Sequence, residues 1–262
     1  MSLFEALWLG IVQGLTEFLP VSSSGHLVMV QSWLGSVPGG DLVFEVAVHV
    51  ATWFAIVVFY RVRIAGLVRG VFAGQPDAWR YTSKLALATL PAVAVGLLAR
   101  GRVEAAFDTP AVVGVGLLVT GGLLWTTRWS EPRARRLEPG WGAAFVIGLA
   151  QALAILPGIS RSGSTVAVAL ALGVAPLAAA EFSFLLGVIA IAGAAVLVLP
   201  DAANHASLSW PTLSVAFAAA LVSGLVALGF FVWLLERRAF YLFAYYDWAV
   251  GSAFLVTLYF AG

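Results

Sequence analysis

The chain has 262 residues, 61% of them hydrophobic and only 10% charged, with a mean hydropathy of +0.98. Soluble domains carry roughly 25% charged residues, so this composition cannot cover a water-facing surface and the chain reads as an integral membrane protein. A net charge of +1 suggests no nucleic acid, the lack of cysteine excludes disulfides and thiol chemistry, and helix-length apolar runs exclude a barrel of short alternating strands.

A bilayer span needs roughly 20 apolar residues. Segment 3–20 is borderline and stops at Pro20. It has no basic n-region, and Glu5 and Glu17 interrupt it, so it is read as part of the fold and not as a signal peptide. Segment 24–35 is too short to span. Spans are expected near 42–60, 84–100 and 110–128. Segment 141–156 is short again and ends at Pro157-Gly158, and 162–173 is also too short. Further spans are expected near 176–199, 211–235 and 242–261. The expected fold is an all-α integral membrane protein of about ten helical segments with six full spans, in the order two short helices, three long, two short, three long.

That order is an internal repeat, and matching residues support it. "LGIVQGLTEFLPVSSSGH" (9–26) resembles "IGLAQALAILPGISRSGS" (147–164): each has a Gln, an apolar stretch, a Pro, then a Ser/Gly cluster. Glu45 follows His26 by 19 residues and Glu181 follows Ser162 by 19. The plain alternative is chance similarity between membrane helices of low complexity. The chain is therefore expected to be a single membrane domain, 1–262, with repeat one at 1–130 and repeat two at 140–262.

If each short pair is a re-entrant hairpin, each repeat has an odd number of true spans and the second must be inverted. Arginine and lysine positions set the orientation. Arg61, Arg63, Arg69, Arg80 and Lys84, then Arg128, Arg133, Arg135 and Arg136, then Arg237 and Arg238 fall on one side; only Arg100 and Arg102 fall on the other. The first side is expected to be cytoplasmic, with both termini outside. The charge rule would hold equally for paired full spans, so only the shortness of the segments argues for hairpins. The tips, Ser22–His26 and Gly158–Ser164, then meet near the midplane. Irregular backbone is tolerated at that depth only when it is buried in protein or lines a wet cavity.

An ionised side chain at bilayer depth costs about 2.5–3.5 kcal/mol on insertion scales and persists when paired or functional. Glu17 and Arg161 sit on opposite tips and are expected to pair. Each tip leads into a new helix, whose first turn offers free N–H groups and the positive dipole end, and Ser and Gly let a ligand approach that backbone. With Arg161 these make a site for a phosphate. Glu17, Ser23 and His26 together can supply a nucleophile, a proton shuttle and an orienting carboxylate. The bland alternatives are N-caps for the serines, a satisfied buried histidine for His26 and a structural ion pair for Arg161. Glu45 and Glu181 are open between a structural contact and a direct role; His49 reads as a packed helix residue and His205 as peripheral. Gln13 lies one helical turn before Glu17, on the same face.

"QGLTEFLPVSSSGH" and "PGISRSGST", with "EFSFLL" at 181–186, resemble the signatures of the undecaprenyl-diphosphatases of the bacitracin-resistance type, over essentially the whole chain. The resemblance implies hydrolysis of undecaprenyl diphosphate to the monophosphate and inorganic phosphate at the outer side of the bacterial plasma membrane, which recycles the carrier lipid for peptidoglycan assembly and confers bacitracin resistance. It implies Glu17, Ser23, His26 and Arg161 as catalytic residues. Gln13, Ser22, Ser24, Gly25, Ser160, Ser162, Gly163 and Thr165 are expected around the substrate. A divalent cation, Mg²⁺ or Ca²⁺, is expected to bridge Glu17 and the diphosphate. The family signature has Glu or Gln at position 13, and the Gln13 present here puts a two-carboxylate metal site in doubt. Tyr246-Asp247 stands where many members have Tyr-Arg, and "GVI" at 187–189 departs from a common proline-containing stretch. The expected partners are a polyprenyl diphosphate lipid and the bilayer, with a homodimer left open. The competing reading is a flippase or transporter of polyprenyl phosphate lipids, since inverted repeats with broken helices also mark secondary transporters. A structural scaffold would leave Arg161 and Glu17 unexplained.

Overall fold

The computed structural model describes residues 1–34, 42–204 and 209–261, so His205 lies outside the described residues. Twelve helices make up the described fold: α1 (Leu3–Phe18), α2 (Ser23–Leu34), α3 (Leu42–Phe59), α4 (Arg61–Phe72), α5 (Pro76–Leu98), α6 (Arg100–Phe107), α7 (Pro110–Ser130), α8 (Trp141–Leu153), α9 (Arg161–Ala171), α10 (Pro176–Asn204), α11 (Trp210–Glu236) and α12 (Phe243–Ala261). Among the described residues there is no strand, and the one isolated backbone bridge joins Arg136 to Val174.

The hairpin helices are short for a physical reason. At 1.5 Å per residue, α1 (16 residues), α2 (12), α8 (13) and α9 (11) each reach no further than about 24 Å, short of the ~30 Å hydrocarbon core. Helix α1 begins on a reciprocal cap, in which the Ser2 hydroxyl accepts from the Glu5 N–H and the Glu5 carboxylate accepts from the Ser2 N–H. It ends where Pro20 forces Leu19 into extended backbone. Ser22 then takes a left-handed φ of 62°, and its hydroxyl accepts from the Gly25 N–H to open α2.

Four helices are long and apolar enough to cross a bilayer: α5, α7 (with the turn that follows it), α10 and α11. The pair α3–α4, bent by 77° at Tyr60, passes the same test only when its two helices are taken together, which makes four or five candidate spans. The sixth expected span, 242–261, is the 19-residue α12; it is not among these candidate spans, and Tyr245, Tyr246 and Asp247 interrupt its apolar run. The span expected at 84–100 begins earlier, at Pro76, because the polar first turns of α5 carry on the helix past the apolar run. Helices α4 and α6 are not among the expected segments; both are too charged to register as apolar runs.

Close helix packing relies on small residues. Gly10 and Gly14 on α1 lie against the Ala216 and Ala220 carbonyls of α11, where a Cβ on either glycine would collide with backbone. Two small residues four apart let membrane helices approach at the backbone. Helix α8 packs on α5 in the same way, with Gly148 against Ala88. Helix α3 packs on α10 and α11, α10 on α5, and α7 on α12. Beneath the first hairpin, Phe18, Phe184, Phe231 and Phe240 form a buried edge-to-face stack with successive ring centroids 5.8, 4.9 and 5.1 Å apart. It anchors the residue that follows Glu17.

Candidate active site

The two tips meet. The buried Ser162 hydroxyl donates to the Phe18 carbonyl (2.9 Å), which ties the start of α9 to the end of α1. Gly163 faces the Pro20 ring, and Gly25 faces Gly158 closely enough that a Cβ there would lie 3.1 Å from the Gly158 Cα. Gly158 has a φ of +88° and lies against the Val113 carbonyl of α7, so both the turn and the close approach require glycine. The fully buried Thr120 clamps this tip: its hydroxyl accepts from the Ser160 N–H (3.0 Å) and donates toward the Gly158 and Gly116 carbonyls (3.0 Å each).

Glu17 is the hub. Its side chain is only 8% exposed. Oε2 accepts from the Ser23 hydroxyl at 2.8 Å and from Gln13 Nε2 at 3.1 Å, and Oε1 accepts from Arg161 Nη2 at 3.0 Å. Four helices supply the set: α1 carries Gln13 and Glu17, α2 opens with Ser23, and α9 opens with Arg161. The fourth, α3, adds a residue that reads in the sequence as mere packing. His49 Nε2 lies 3.3 Å from Gln13 Nε2 and 3.9 Å from Glu17 Oε2, while its Nδ1 lies 2.8 Å from the Glu45 carbonyl. Ser23, His26, Gln13, Glu45 and His49 line one cleft, with the apolar Leu9, Val12 and Phe44 beside them.

The expected Glu17–Ser23–His26 cluster is thus joined differently from a linear relay. Ser23 bonds to Glu17. The His26 Nδ1 lies 2.9 Å from the Ser22 carbonyl, which turns the ring toward α12, where Nε2 meets the Tyr246 hydroxyl at 2.7 Å and the two rings stack 5.8 Å apart. His26 faces the same cleft as Ser23 and has Tyr246 as its partner. Ser22 caps α2, with its Oγ 3.4 Å from that of Ser24. Ser160 caps α9 by accepting from the Gly163 N–H, and its Oγ is 3.3 Å from the Ser162 Oγ. Thr165 donates to the Arg161 carbonyl and contacts the Ser183 hydroxyl. Ser160, Ser162, Gly163 and Thr165 are buried in the tip that carries Arg161.

Arg161 has an unmet demand. Its Nη1 is buried and has no acceptor, and it lies against Gly187 of α10, where a Cβ would overlap it. One turn along α9, the buried Ser164 hydroxyl also lacks a partner. Buried polar atoms are nearly always bonded, so the Nη1 donor, on the guanidinium that holds Glu17, is open to an acceptor. Glu181, for which the sequence leaves two roles open, is structural: Arg63 (2.8 Å) and the Tyr81 hydroxyl (3.1 Å) both donate to it. Glu45 lines the cleft.

Side chains alone form no closed cation site here. Both oxygens of Glu17 already accept from Arg161, Ser23 and Gln13, and Gln13 offers an N–H toward it. Among the described residues no group of three His, Asp or Glu side chains could hold a metal ion. The roles of His49 and Tyr246 are hidden in the sequence because they depend on which helices pack together. An ionisable residue four positions after Glu45 in an apolar helix is the one available signal for His49.

The model of the bacitracin resistance protein BacA family matches residues 6–253. The undecaprenyl-diphosphatase of Desulforapulum autotrophicum is 38% identical over 269 residues, covering 96% of each chain. That of Alcanivorax borkumensis is 39% identical over 265 residues, covering 98% of this chain and 100% of the relative. That of Christiangramia forsetii is 38% identical over 264 residues, covering 99% of each.

Proposed function

The chain belongs to the bacitracin resistance protein BacA family, and from that premise we infer that it hydrolyses undecaprenyl diphosphate to undecaprenyl phosphate and inorganic phosphate. It is a multi-pass membrane enzyme of the undecaprenyl-diphosphatase type, and its reaction returns the carrier lipid to peptidoglycan synthesis.

The observation that carries the chemistry is the Ser23–Glu17 contact at the meeting of the tips, with Arg161 on the far oxygen. In this reading the Ser23 oxygen attacks the terminal phosphorus while its proton passes to Glu17 Oε2. The bond from phosphorus to the bridging oxygen breaks, and its electron pair leaves on undecaprenyl phosphate. Water then attacks the phosphoserine, giving up its proton as the serine oxygen regains one, and inorganic phosphate departs. Arg161 offers Nη1 to a non-bridging oxygen and stabilises the charge that develops there. His26, oriented by Tyr246, faces the cleft as a further contact for the diphosphate. A divalent cation enters this reading only as a companion of the diphosphate, and no step runs through it. A lipid carrier needs a binding charge but not a serine held against a buried carboxylate, so the transport alternative is not favoured.

The deciding experiment offers the detergent-purified protein a lipid diphosphate and measures inorganic phosphate. Release is expected, together with a transient phosphoprotein at Ser23 in single turnover. A protein that binds the lipid and releases no phosphate would overturn the reading.

The cleft opens to the outer side in this proposal. Support comes from the basic residues that the charge rule assigns to the cytoplasmic side, several of which stand over tryptophan rings: Arg128 over Trp125 and Trp129, Arg237 over Trp233 and Lys84 over Trp141. Lys/Arg excess marks cytoplasmic loops, and Trp marks the interface. Single cysteines test this without background, because the chain has none. A membrane-impermeant thiol reagent should label Ser2→Cys in intact cells and spare Ala73→Cys and Leu137→Cys until the membrane is opened. Leu137, between α7 and α8, is 85% exposed and so open to the reagent. The opposite pattern would reverse the orientation.

A further inference from the structure

We propose that His49 is a positioning residue for the reacting pair: by accepting a hydrogen bond from Gln13 it fixes the amide so that Gln13 donates to Glu17, which holds the carboxylate in line with Ser23. The proposal rests on the reading of Ser23 and Glu17 as nucleophile and base.

The direction of each bond follows from what each atom can do. The Glu45 carbonyl only accepts, so at 2.8 Å it requires the proton of His49 to sit on Nδ1. In the neutral ring Nε2 is then a bare acceptor. It faces Gln13 Nε2 at 3.3 Å, an amide nitrogen with two N–H donors, and the second of these goes to Glu17 Oε2 at 3.1 Å. A flipped amide would set its carbonyl oxygen against both the His49 lone pair and the Glu17 carboxylate, so the two neighbours fix Gln13 together. Gln13 is 7% exposed and has little water to turn to instead. The chain of bonds therefore runs one way from α3 through α1 to α2: Nδ1–H to Glu45 O, Gln13 N–H to Nε2, Gln13 N–H to Oε2, and Ser23 O–H to Oε2. The charged and titratable groups around it are Glu45 on α3, Glu17 on α1, His26 on α2 and Arg161 on α9. Without the His49 lone pair, one Gln13 donor is stranded and the amide can turn off Glu17. Arg161 on the other oxygen then draws the carboxylate away from Ser23.

Two variants separate this role from simple packing. His49→Leu keeps apolar bulk on the cleft wall and removes the acceptor; His49→Gln returns an acceptor carbonyl with no basic nitrogen. His49→Leu should lower kcat for lipid-diphosphate hydrolysis about tenfold with KM within about twofold, and His49→Gln should recover kcat to within about threefold. In parallel, nitrogen-15 NMR of histidine-labelled protein, with the His49 signal assigned by its loss in His49→Gln, should show Nδ1 protonated and Nε2 bare. A wild-type rate for His49→Leu overturns the proposal. So does a His49→Gln variant as slow as His49→Leu, which would make His49 a carrier of protons and not an acceptor, and so does a ring protonated on Nε2. If the unmodified protein releases no phosphate, the catalytic reading falls by itself, and the nitrogen spectrum still decides the bond chain.

Discussion

Glu17→Gln should lower phosphate release by roughly a thousandfold, about 4 kcal/mol of barrier, within the range found for removing a positioned general base. The amide is nearly isosteric but loses on both sides of the site. It cannot take the proton that Ser23 must give up, and one of its two ends becomes a donor facing either the Ser23 hydroxyl or the Arg161 guanidinium. Stability complicates the variant, because Arg161 loses its buried counter-charge, and breaking such a pair costs about 3–5 kcal/mol. Ser23→Ala supplies the cleaner arm. It removes the nucleophile and leaves the Glu17–Arg161 bond at 3.0 Å and the Gln13 contact in place. A thousandfold loss in both variants, with the melting temperature lowered only in Glu17→Gln, fits a nucleophile and its base. Substantial turnover by purified Ser23→Ala would mean that Glu17 activates a water directly.

Both of these residues are legible in the sequence, and so are the helices that carry them. Apolar run lengths and the breaks at Pro20 and Pro157-Gly158 place the short hairpin helices, because a proline disfavours helix at the residue before it and Pro-Gly is a strong turn signal; length decides, since Pro91 sits inside the long helix α5. Glu17, Ser23 and Arg161 stand out because a charge or a nucleophile in an apolar segment must be paired or functional. The contact that joins Ser162 to Phe18 spans 144 positions, however, and no local pattern encodes it. Nor can sequence place His49 beside Gln13, since that requires α3 to lie against α1, or Tyr246 on His26, 220 positions away. The polar helices α4 and α6 stay hidden for a related reason: hydropathy registers apolar length, and these helices are made of arginine-bearing turns outside it. Residues that act alone can be recognised from the chain. Residues whose meaning comes from a neighbour on another helix cannot, and His49, the most consequential of these, is the one that bears on the carboxylate's orientation.

Arg161→Lys should reduce turnover at least tenfold, about 1.4 kcal/mol, while the protein stays folded. The prediction turns on geometry, because the charge is unchanged. In the structure Nη2 holds Glu17 Oε1 at 3.0 Å while Nη1 is buried without an acceptor, so one planar group can face the carboxylate and a phosphate oxygen together. A lysine ammonium is a single point on a flexible stem. It can reach Glu17 or the phosphate, and holding one draws it from the other. If it stays with Glu17, stability is kept and the developing charge on the phosphate goes unanswered, so kcat falls. If it moves to the phosphate, Glu17 loses its counter-charge as substrate binds, and KM rises as well. Arg161→Ala would be the weaker test, because an unpaired Glu17 at 8% exposure destabilises the tips themselves and loss of activity would report on folding. The lysine variant, purified and checked for an unchanged melting temperature, isolates the fork. Near-normal kcat and KM in that variant would show that the planar group does no more than neutralise Glu17, and the phosphate would then have to be held from elsewhere in the cleft, with His26 and Tyr246 the next residues to test.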